Sequence, residues 1–145
     1  MFISTKGRYG LRAMLELALG YNGEPISIRD ISKSQDISEK YLENILSILK
    51  NAKLVISRRG AKGGYAIAKP PEEIKLIWII NTLEGSISPV DCVDENICKK
   101  VSECVLYDVW KEIKDVIEKI LSSITLKDLV DRYKSKKKRK KWTQK

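Results

Sequence analysis

The segment between residues 27 and 67 constrains the fold of this chain more than any other. Ser27 and Ser38 are placed to cap two short helices that a tight turn separates, and the second helix covers about residues 39–51. This second helix carries apolar residues at helical spacing: Leu42, Ile45, Leu46 and Leu49. Two short helices joined by a tight turn predict a helix-turn-helix.

A glycine-rich basic turn follows, with the sequence RRGAKGG at residues 58–64, and β-prone residues flank it on both sides. This pattern predicts a β-hairpin with a charged tip, in which glycine supplies the positive φ that a tight turn needs. A helix-turn-helix followed by such a hairpin is the winged-helix plan. The predicted fold class is therefore mainly α with a small β-hairpin wing (α+β).

A long helix of about residues 102–123 is predicted in the second half of the chain, and Thr125 is placed to cap a final helix that ends near Tyr133. The long helix carries two adjacent apolar stripes. The first comprises Val105, Val109, Ile113, Val116 and Ile120, and the second Leu106, Trp110, Ile117, Leu121 and Ile124. A face this wide can contact both its own head and a second copy, which predicts a dimerisation helix. A helix buried within its own monomer is the alternative.

The chain thus divides into a winged helix-turn-helix head (1–70), a segment with a connecting helix, a cysteine loop (91–104) and the dimerisation helix (71–133), and a basic tail (134–145). The net charge is +9, and the tail alone holds eight Lys and Arg residues and no acidic residue, so residues 1–133 carry +1. A run of this kind is typical of a solvated, disordered tail that adds salt-dependent phosphate affinity without sequence specificity.

The exposed face of the second helix-turn-helix helix offers donors, acceptors and one carboxylate, and the hairpin tip offers positive charge. A major groove admits one α-helix, so these side chains are candidates for contact with double-stranded DNA. The candidates on the helix are Ser38, Lys40, Tyr41, Glu43, Asn44 and Ser47, and those on the hairpin are Arg58, Arg59, Lys62 and Gly63. Glu43 is suited to accept a hydrogen bond from a cytosine amino group.

Three cysteines, Cys92, Cys98 and Cys104, are each separated by five residues, and the chain contains no histidine. Thiolates hold iron–sulfur clusters, so this loop is a candidate for [2Fe–2S] or [4Fe–4S]. Structural or reactive thiols are the alternative by spacing alone, and zinc is a weaker one because no Cys-x-x-Cys is present. Without a nucleophile–base pair the chain is not expected to be an enzyme. Without a long apolar run or a signal-like N-terminus it is expected in the cytoplasm rather than in a membrane.

Several motifs resemble the family of winged-helix repressors that includes IscR, NsrR and CymR. They are STKGRYGLRAML near the start, DIS…Q.IS..YLE..L in the helix-turn-helix, RG..GGY in the wing, and CVLYDVW and ITLKDLV at the two ends of the long helix. The resemblance covers about residues 1–133. It implies a homodimer that binds a palindromic operator, with Ser38, Tyr41 and Glu43 at groove-reading positions and Arg59 as the wing arginine of the minor groove. Lys40 stands where the family usually has serine.

The same resemblance implies an iron–sulfur cluster, because members with cysteines at this spacing bind one whereas CymR-type members lack these cysteines. The fourth ligand is not of a familiar kind: Tyr107 stands at the histidine position of IscR-like members and Arg8 at the aspartate position of NsrR-like members. The candidates are Asp108, Tyr107 and Glu103, and [2Fe–2S] is slightly favoured. The resulting hypothesis is a repressor under cluster control. The alternative is a cluster-free regulator controlled by a partner protein or by cysteine oxidation.

Overall fold

The computed structural model describes residues 3–95 and 98–143, with side chains described through Arg139. These residues form seven α-helices and one two-stranded hairpin, which confirms the predicted mainly α class with a β-hairpin wing. The elements in chain order are α1 (Thr5–Leu19), α2 (Ile28–Gln35), α3 (Glu39–Asn51), β1 (Val55–Arg58), β2 (Gly64–Ile67), α4 (Leu76–Glu84), α5 (Asp91–Glu95), α6 (Val105–Ser123) and α7 (Leu126–Thr143).

The helices begin where short polar side chains satisfy the free N–H groups of a first turn. Ser4, Ser27 and Ser38 each accept a hydrogen bond from the N–H three residues further along, at 3.1–3.2 Å. At the start of α7, Thr125 and Asp128 cap each other: each side chain accepts from the other residue's N–H. The predicted caps at Ser27, Ser38 and Thr125 are confirmed.

One apolar core joins the predicted head to the helices that follow it. The head contributes fully buried residues from α1, α2, α3 and the hairpin, among them Met14, Ile31 and Leu46. Ile79 of α4 and Leu126 of α7 are equally buried in the same cluster, because both helices pack against α1. Residues on the two sides of position 70 therefore share one core.

The wing is attached to the helix-turn-helix by backbone hydrogen bonds. Strands β1 and β2 pair antiparallel, with Val55 opposite Ile67 and Arg58 opposite Gly64. Ile26, which precedes α2, exchanges two backbone hydrogen bonds with Tyr65 of β2, at 2.9 and 2.8 Å. The hairpin is thus held in a fixed position beside the two helices.

The structure corrects two expectations about the C-terminal half. The long helix begins at Val105 rather than near Ser102, because a short 3₁₀ turn occupies residues 101–103. Helix α7 does not end near Tyr133 but continues to Thr143, so the predicted disordered tail is wrong for residues 134–143. Lys and Arg are good helix formers, and neither Gly nor Pro occurs within α7 to end it. The last two tail residues lie outside the described part of the chain.

Candidate functional site

Helix α3 presents a polar face to solvent because its four apolar residues point into the core. Leu42, Ile45, Leu46 and Leu49 are fully buried, whereas Glu43, Asn44 and Ser47 between them are exposed. Five of the six predicted contact residues are exposed: Ser38, Lys40, Glu43, Asn44 and Ser47. The hydroxyl oxygen of Ser38 is engaged in capping α3, yet its proton can still be donated to a phosphate or a base.

Tyr41 is half-buried, and a set of side chains that the sequence did not identify holds it. Its ring lies edge-on against the ring of Tyr9, with centroids 5.7 Å apart and an interplanar angle of 85°. The guanidinium of Arg12 lies over Tyr9 at 5.4 Å, and its Nε donates to the amide oxygen of Gln35 at 3.0 Å. Tyr9 and Arg12 both lie in the quoted N-terminal motif, but the contact with Tyr41 follows only from the tertiary fold.

The wing tip carries exposed positive charge on a backbone that only glycine allows. Arg58, Arg59 and Lys62 are exposed. A Cβ at Gly63 would lie 2.4 Å from the carbonyl oxygen of Arg58, so no larger residue fits without moving the turn. Gly60 has φ of +109°, a conformation that side chains rarely adopt. The ten predicted DNA contacts therefore lie on two elements, and the Ile26–Tyr65 backbone pairing fixes one relative to the other.

The two predicted stripes of α6 differ in exposure. Three residues of the second stripe, Ile117, Leu121 and Ile124, pack against buried apolar residues of the same chain. Every residue of the first stripe is exposed, at 81% for Val105, 44% for Val109, 37% for Ile113, 57% for Val116 and 52% for Ile120. A contiguous exposed apolar stripe of this length is typical of an interaction surface.

The three thiols lie at the junction between α4 and α6, and none forms a disulfide. Cys92 lies in α5 and is partly buried, Cys98 is exposed, and Cys104 directly precedes α6. As donors they suit an iron–sulfur cluster, because soft thiolates are its usual ligands. They are not gathered into a site: no three Cys, Asp or Glu side chains of the described residues form a set that could hold a metal ion.

The three candidate fourth ligands lie within about one turn of Cys104. Glu103 and Asp108 are exposed and Tyr107 is partly buried. Asp108 lies in the first turn of α6, and Tyr107 donates its N–H to the Cys104 carbonyl at 3.2 Å.

An ion pair that the sequence did not suggest attaches the cysteine region to α6. The Nζ of Lys114 lies 2.7 Å from a carboxylate oxygen of Asp94, and these side chains are 22% and 21% exposed. The Ser86 hydroxyl donates to the same carboxylate. The hydrogen bonds from Lys114 and Ser86 lower the pKa of Asp94, and the bond to Asp94 raises the pKa of Lys114. Both groups are therefore charged near neutral pH, and α5 is held against α6.

Comparison with known proteins identifies the family to which this chain belongs. The model of the Rrf2 family, an iron-dependent transcriptional regulator, matches residues 3–132. The chain belongs to the Rrf2 family. It is 45% identical over 129 residues to the regulator CymR of Bacillus subtilis, and the match covers 89% of each chain. It is 36% identical over 131 residues to the regulator IscR of Pectobacterium atrosepticum, and this match covers 90% of the present chain and 80% of IscR.

Solved structures of Rrf2 relatives share the fold. CymR of B. subtilis, titled its global cysteine regulator, superposes with a TM-score of 0.78 at 41% identity and covers 91% of this chain and 98% of that one. IscR of T. potens superposes with a TM-score of 0.76 at 39% identity, and the match covers 92% of this chain and 88% of that one. Likeness to both CymR and IscR means that overall similarity does not select between a cysteine regulator and an iron–sulfur one.

This Rrf2 protein is therefore a DNA-binding transcription regulator with a winged-helix head, as the sequence motifs predicted. The family and the relatives are transcriptional regulators, which confirms that the chain is not an enzyme. Within the described residues, every helix is too short or too polar to serve as a membrane span.

Proposed function

We propose that this Rrf2 protein is a homodimeric cytoplasmic repressor whose affinity for a palindromic operator is controlled by an iron–sulfur cluster. The cluster would be bound by Cys92, Cys98 and Cys104. The observation that carries this proposal is the location of three free thiols at the start of the helix that exposes an apolar stripe. A change at these thiols would act directly on the helix proposed to join the two chains.

In the proposed complex, the N-terminal part of α3 enters the major groove. Its exposed polar residues lie on the side opposite the buried apolar residues, so bases can reach them without disturbing the core. Glu43 would accept from a cytosine amino group and repel phosphates at incorrect sites. Arg59 and its basic neighbours on the wing would contact phosphates or the adjacent minor groove.

The exposed stripe of α6 would pair with the same stripe of a second copy. A two-fold dimer places its two reading helices about one turn of DNA apart, roughly 34–36 Å, and so calls for an operator with matching half-sites. The large exposure of Val105, Val116 and Ile120 supports this arrangement, because a lone monomer would leave these side chains in water.

The cluster, when bound, would supply a redox-active centre and an iron with an exchangeable ligand. We expect [2Fe–2S] in preference to [4Fe–4S]. Since the thiols are not gathered in the structure, binding requires the cysteine region to rearrange, although residues 91–95 are already helical. Asp108 is our first choice as the fourth ligand, because it is an exposed carboxylate in the first turn of α6, four residues after Cys104. Tyr107 and Glu103 are the other candidates.

Control of DNA binding requires that the cluster bind two conformations with different affinity. The Asp94–Lys114 ion pair supports such coupling, since it connects the helix that carries Cys92 with the middle of α6. Moving Cys92 toward Cys104 would disturb this ion pair and displace α5 along α6. A change in half-site spacing would follow from any shift of α6 against its partner.

Thiol oxidation is a second candidate for the input, and the exposure of Cys98 favours it. An exposed free thiol is open to oxidants, and a neighbouring cysteine can then resolve it as a disulfide. In this case the same region would act on α6 without iron. The dimer, the operator and the reading helix would be unchanged.

Anaerobic purification tests the proposal directly. We expect a coloured protein with iron and sulfide in stoichiometric amounts, an absorption and EPR spectrum that identifies the cluster, and operator affinity that changes when the cluster is removed. Cys98→Ser should abolish both the colour and this change, whereas Ser102→Ala, an exposed change in the same region, should preserve both. A colourless, iron-free protein after reconstitution would refute cluster control, and a mapped reversible disulfide in that sample would support the oxidation input.

A further inference from the structure

The C-terminal half of α7 forms a rod that extends away from the core. Val130 is buried, and every residue from 131 to 139, where the description of side chains ends, is exposed. At 1.5 Å per residue, the helix continues for about 20 Å beyond Val130 before it ends at Thr143. The Rrf2 family model ends at residue 132, so this rod lies outside the family's shared region.

Positive charge surrounds the rod on all sides. Residues 134–141, which we call the basic segment, contain seven Lys and Arg residues and Ser135. At 100° per residue the five Lys and Arg residues at positions 134–139 are distributed around the helix axis, and Lys134 and Lys138 are like charges at i and i+4. Pairs of like charge at this spacing destabilise a helix, and no acidic residue follows Asp131 to offset them.

We propose that the basic segment is a second DNA-contacting element, which binds the phosphate backbone of the duplex beside the operator half-site as the helix seen in the structure. Phosphates at regular intervals would neutralise charges that repel one another along this helix. The proposal rests on the proposed function only for the identity of the partner, which is duplex DNA.

The distribution of charge favours DNA over a membrane surface. A helix that lies on a membrane needs an apolar face, and the basic segment has none because its charges occupy every side. A polyanion whose phosphates can approach from any direction suits such a rod. The head already brings this chain to duplex DNA, so the same charges act there at high local concentration.

A paired set of charge-removing variants of the full chain tests the inference. In one variant, Lys136→Gln and Lys138→Gln remove two charges from the basic segment. In the control, Lys99→Gln and Lys119→Gln remove two charges from exposed positions elsewhere. Affinity for the operator duplex and for an unrelated duplex of equal length is measured by fluorescence anisotropy between low and moderate salt.

We expect the slope of log K against log salt concentration to be smaller in magnitude for the first variant, by up to about two units per bound chain. Affinity should fall by the same factor for both duplexes, because phosphate contacts carry no sequence information. The control should keep the wild-type slope.

Equal slopes for the two variants would overturn the inference. So would binding to phosphatidylserine vesicles that depends on Lys136 and Lys138 while DNA affinity stays unchanged. These outcomes can be distinguished from a failure of the proposed function. A wild-type chain with no preference for any operator would refute the operator model and leave the difference in slope intact.

Discussion

Replacing Ile120 by alanine tests whether the exposed stripe of α6 is the dimer interface. Ile120 is 52% exposed, and Val116 and Ile113 precede it at interface spacing on the same side of the helix. The substitution removes apolar atoms without adding a polar group. Alanine also has a higher helix propensity than isoleucine, so α6 itself should remain helical.

The expected magnitude follows from the exposed part of the side chain. The change deletes three carbon atoms, each worth about 0.8 kcal/mol when fully buried. The 52% exposure means that about half of this burial comes from the partner, and a two-fold dimer contains the residue twice. The loss is therefore about 2–2.5 kcal/mol per dimer, which corresponds to roughly 30- to 70-fold weaker dimerisation.

Sedimentation equilibrium over a range of concentrations measures this loss in reducing, metal-free buffer. Lys119→Ala is the matched control, because it introduces the same residue at an exposed position of α6 outside the stripe. Circular dichroism checks that both variants keep the wild-type helix content. A dissociation constant for Ile120→Ala that equals that of Lys119→Ala would show that this stripe does not form the interface.

Three further predictions concern other parts of the molecule. Glu43→Ala should weaken operator binding by about 1–3 kcal/mol and strengthen binding to an unrelated duplex, because the carboxylate accepts from a base and repels phosphates; anisotropy measures both. Lys114→Met should make Cys92 react several-fold faster with a maleimide, since α5 loses its ion pair with α6, while the free energy of unfolding falls by less than about 1 kcal/mol. Asp128→Asn should lower the thermal midpoint at pH 7, and this effect should shrink as the pH falls below 3.8. The N–H of Thr125 lowers the pKa of Asp128 from its ordinary 3.8, so its contribution exists above that value and is lost as pH falls through the lowered one.

The first two of these predictions have a control variant in the same chain, and the third is checked by its dependence on pH. Glu112→Ala removes an exposed carboxylate from α6 and should leave DNA binding unchanged. If Glu112→Ala and Glu43→Ala changed DNA binding equally, net charge alone would account for the effect. Lys111→Met breaks an ion pair within α6, with Asp115, and should not alter the Cys92 reaction. If both methionine variants react alike, Lys114 does not hold α5. If the difference in thermal midpoint between the wild type and Asp128→Asn stayed the same down to pH 3, the charge of the carboxylate would not be the cause of that difference.

The local signals in the sequence predicted the head correctly because they act over three or four residues. A serine cap at Ser27 or Ser38 requires only its own first turn, and the buried face of α3 follows from spacing along one helix. Helix α1 was harder, since it packs against α4 and α7 as well as α3. Leu17 is buried there, whereas Leu11 and Leu15 are only partly buried.

The parts of the site that the sequence did not reveal depend on residues far apart in the chain. Tyr9 and Tyr41 are 32 positions apart, and Asp94 and Lys114 are 20 apart, so no local pattern connects either pair. The prediction of disorder for the basic tail was wrong for another reason. Repulsion between its lysines argued for disorder, whereas the helix propensity of the same residues and the anchored start of α7 argue for a helix.

The position of the cysteines relative to α6 suggests how cluster binding and thiol oxidation, the two proposed inputs, could move this helix in the same way. Cys104 directly precedes α6, and Cys92 is held to the same helix through Asp94 and Lys114, about 15 Å further along its axis. Any reaction that draws these two thiols together, by cluster binding or by oxidation, therefore acts on α6 at two separated points. Ile117 of α6 packs with the cluster that contains Ile77 of α4, and α4 contacts both α1 and α3. A shift of α6 would thus be transmitted through packed side chains to α3, the proposed reading helix, as well as to the proposed partner chain.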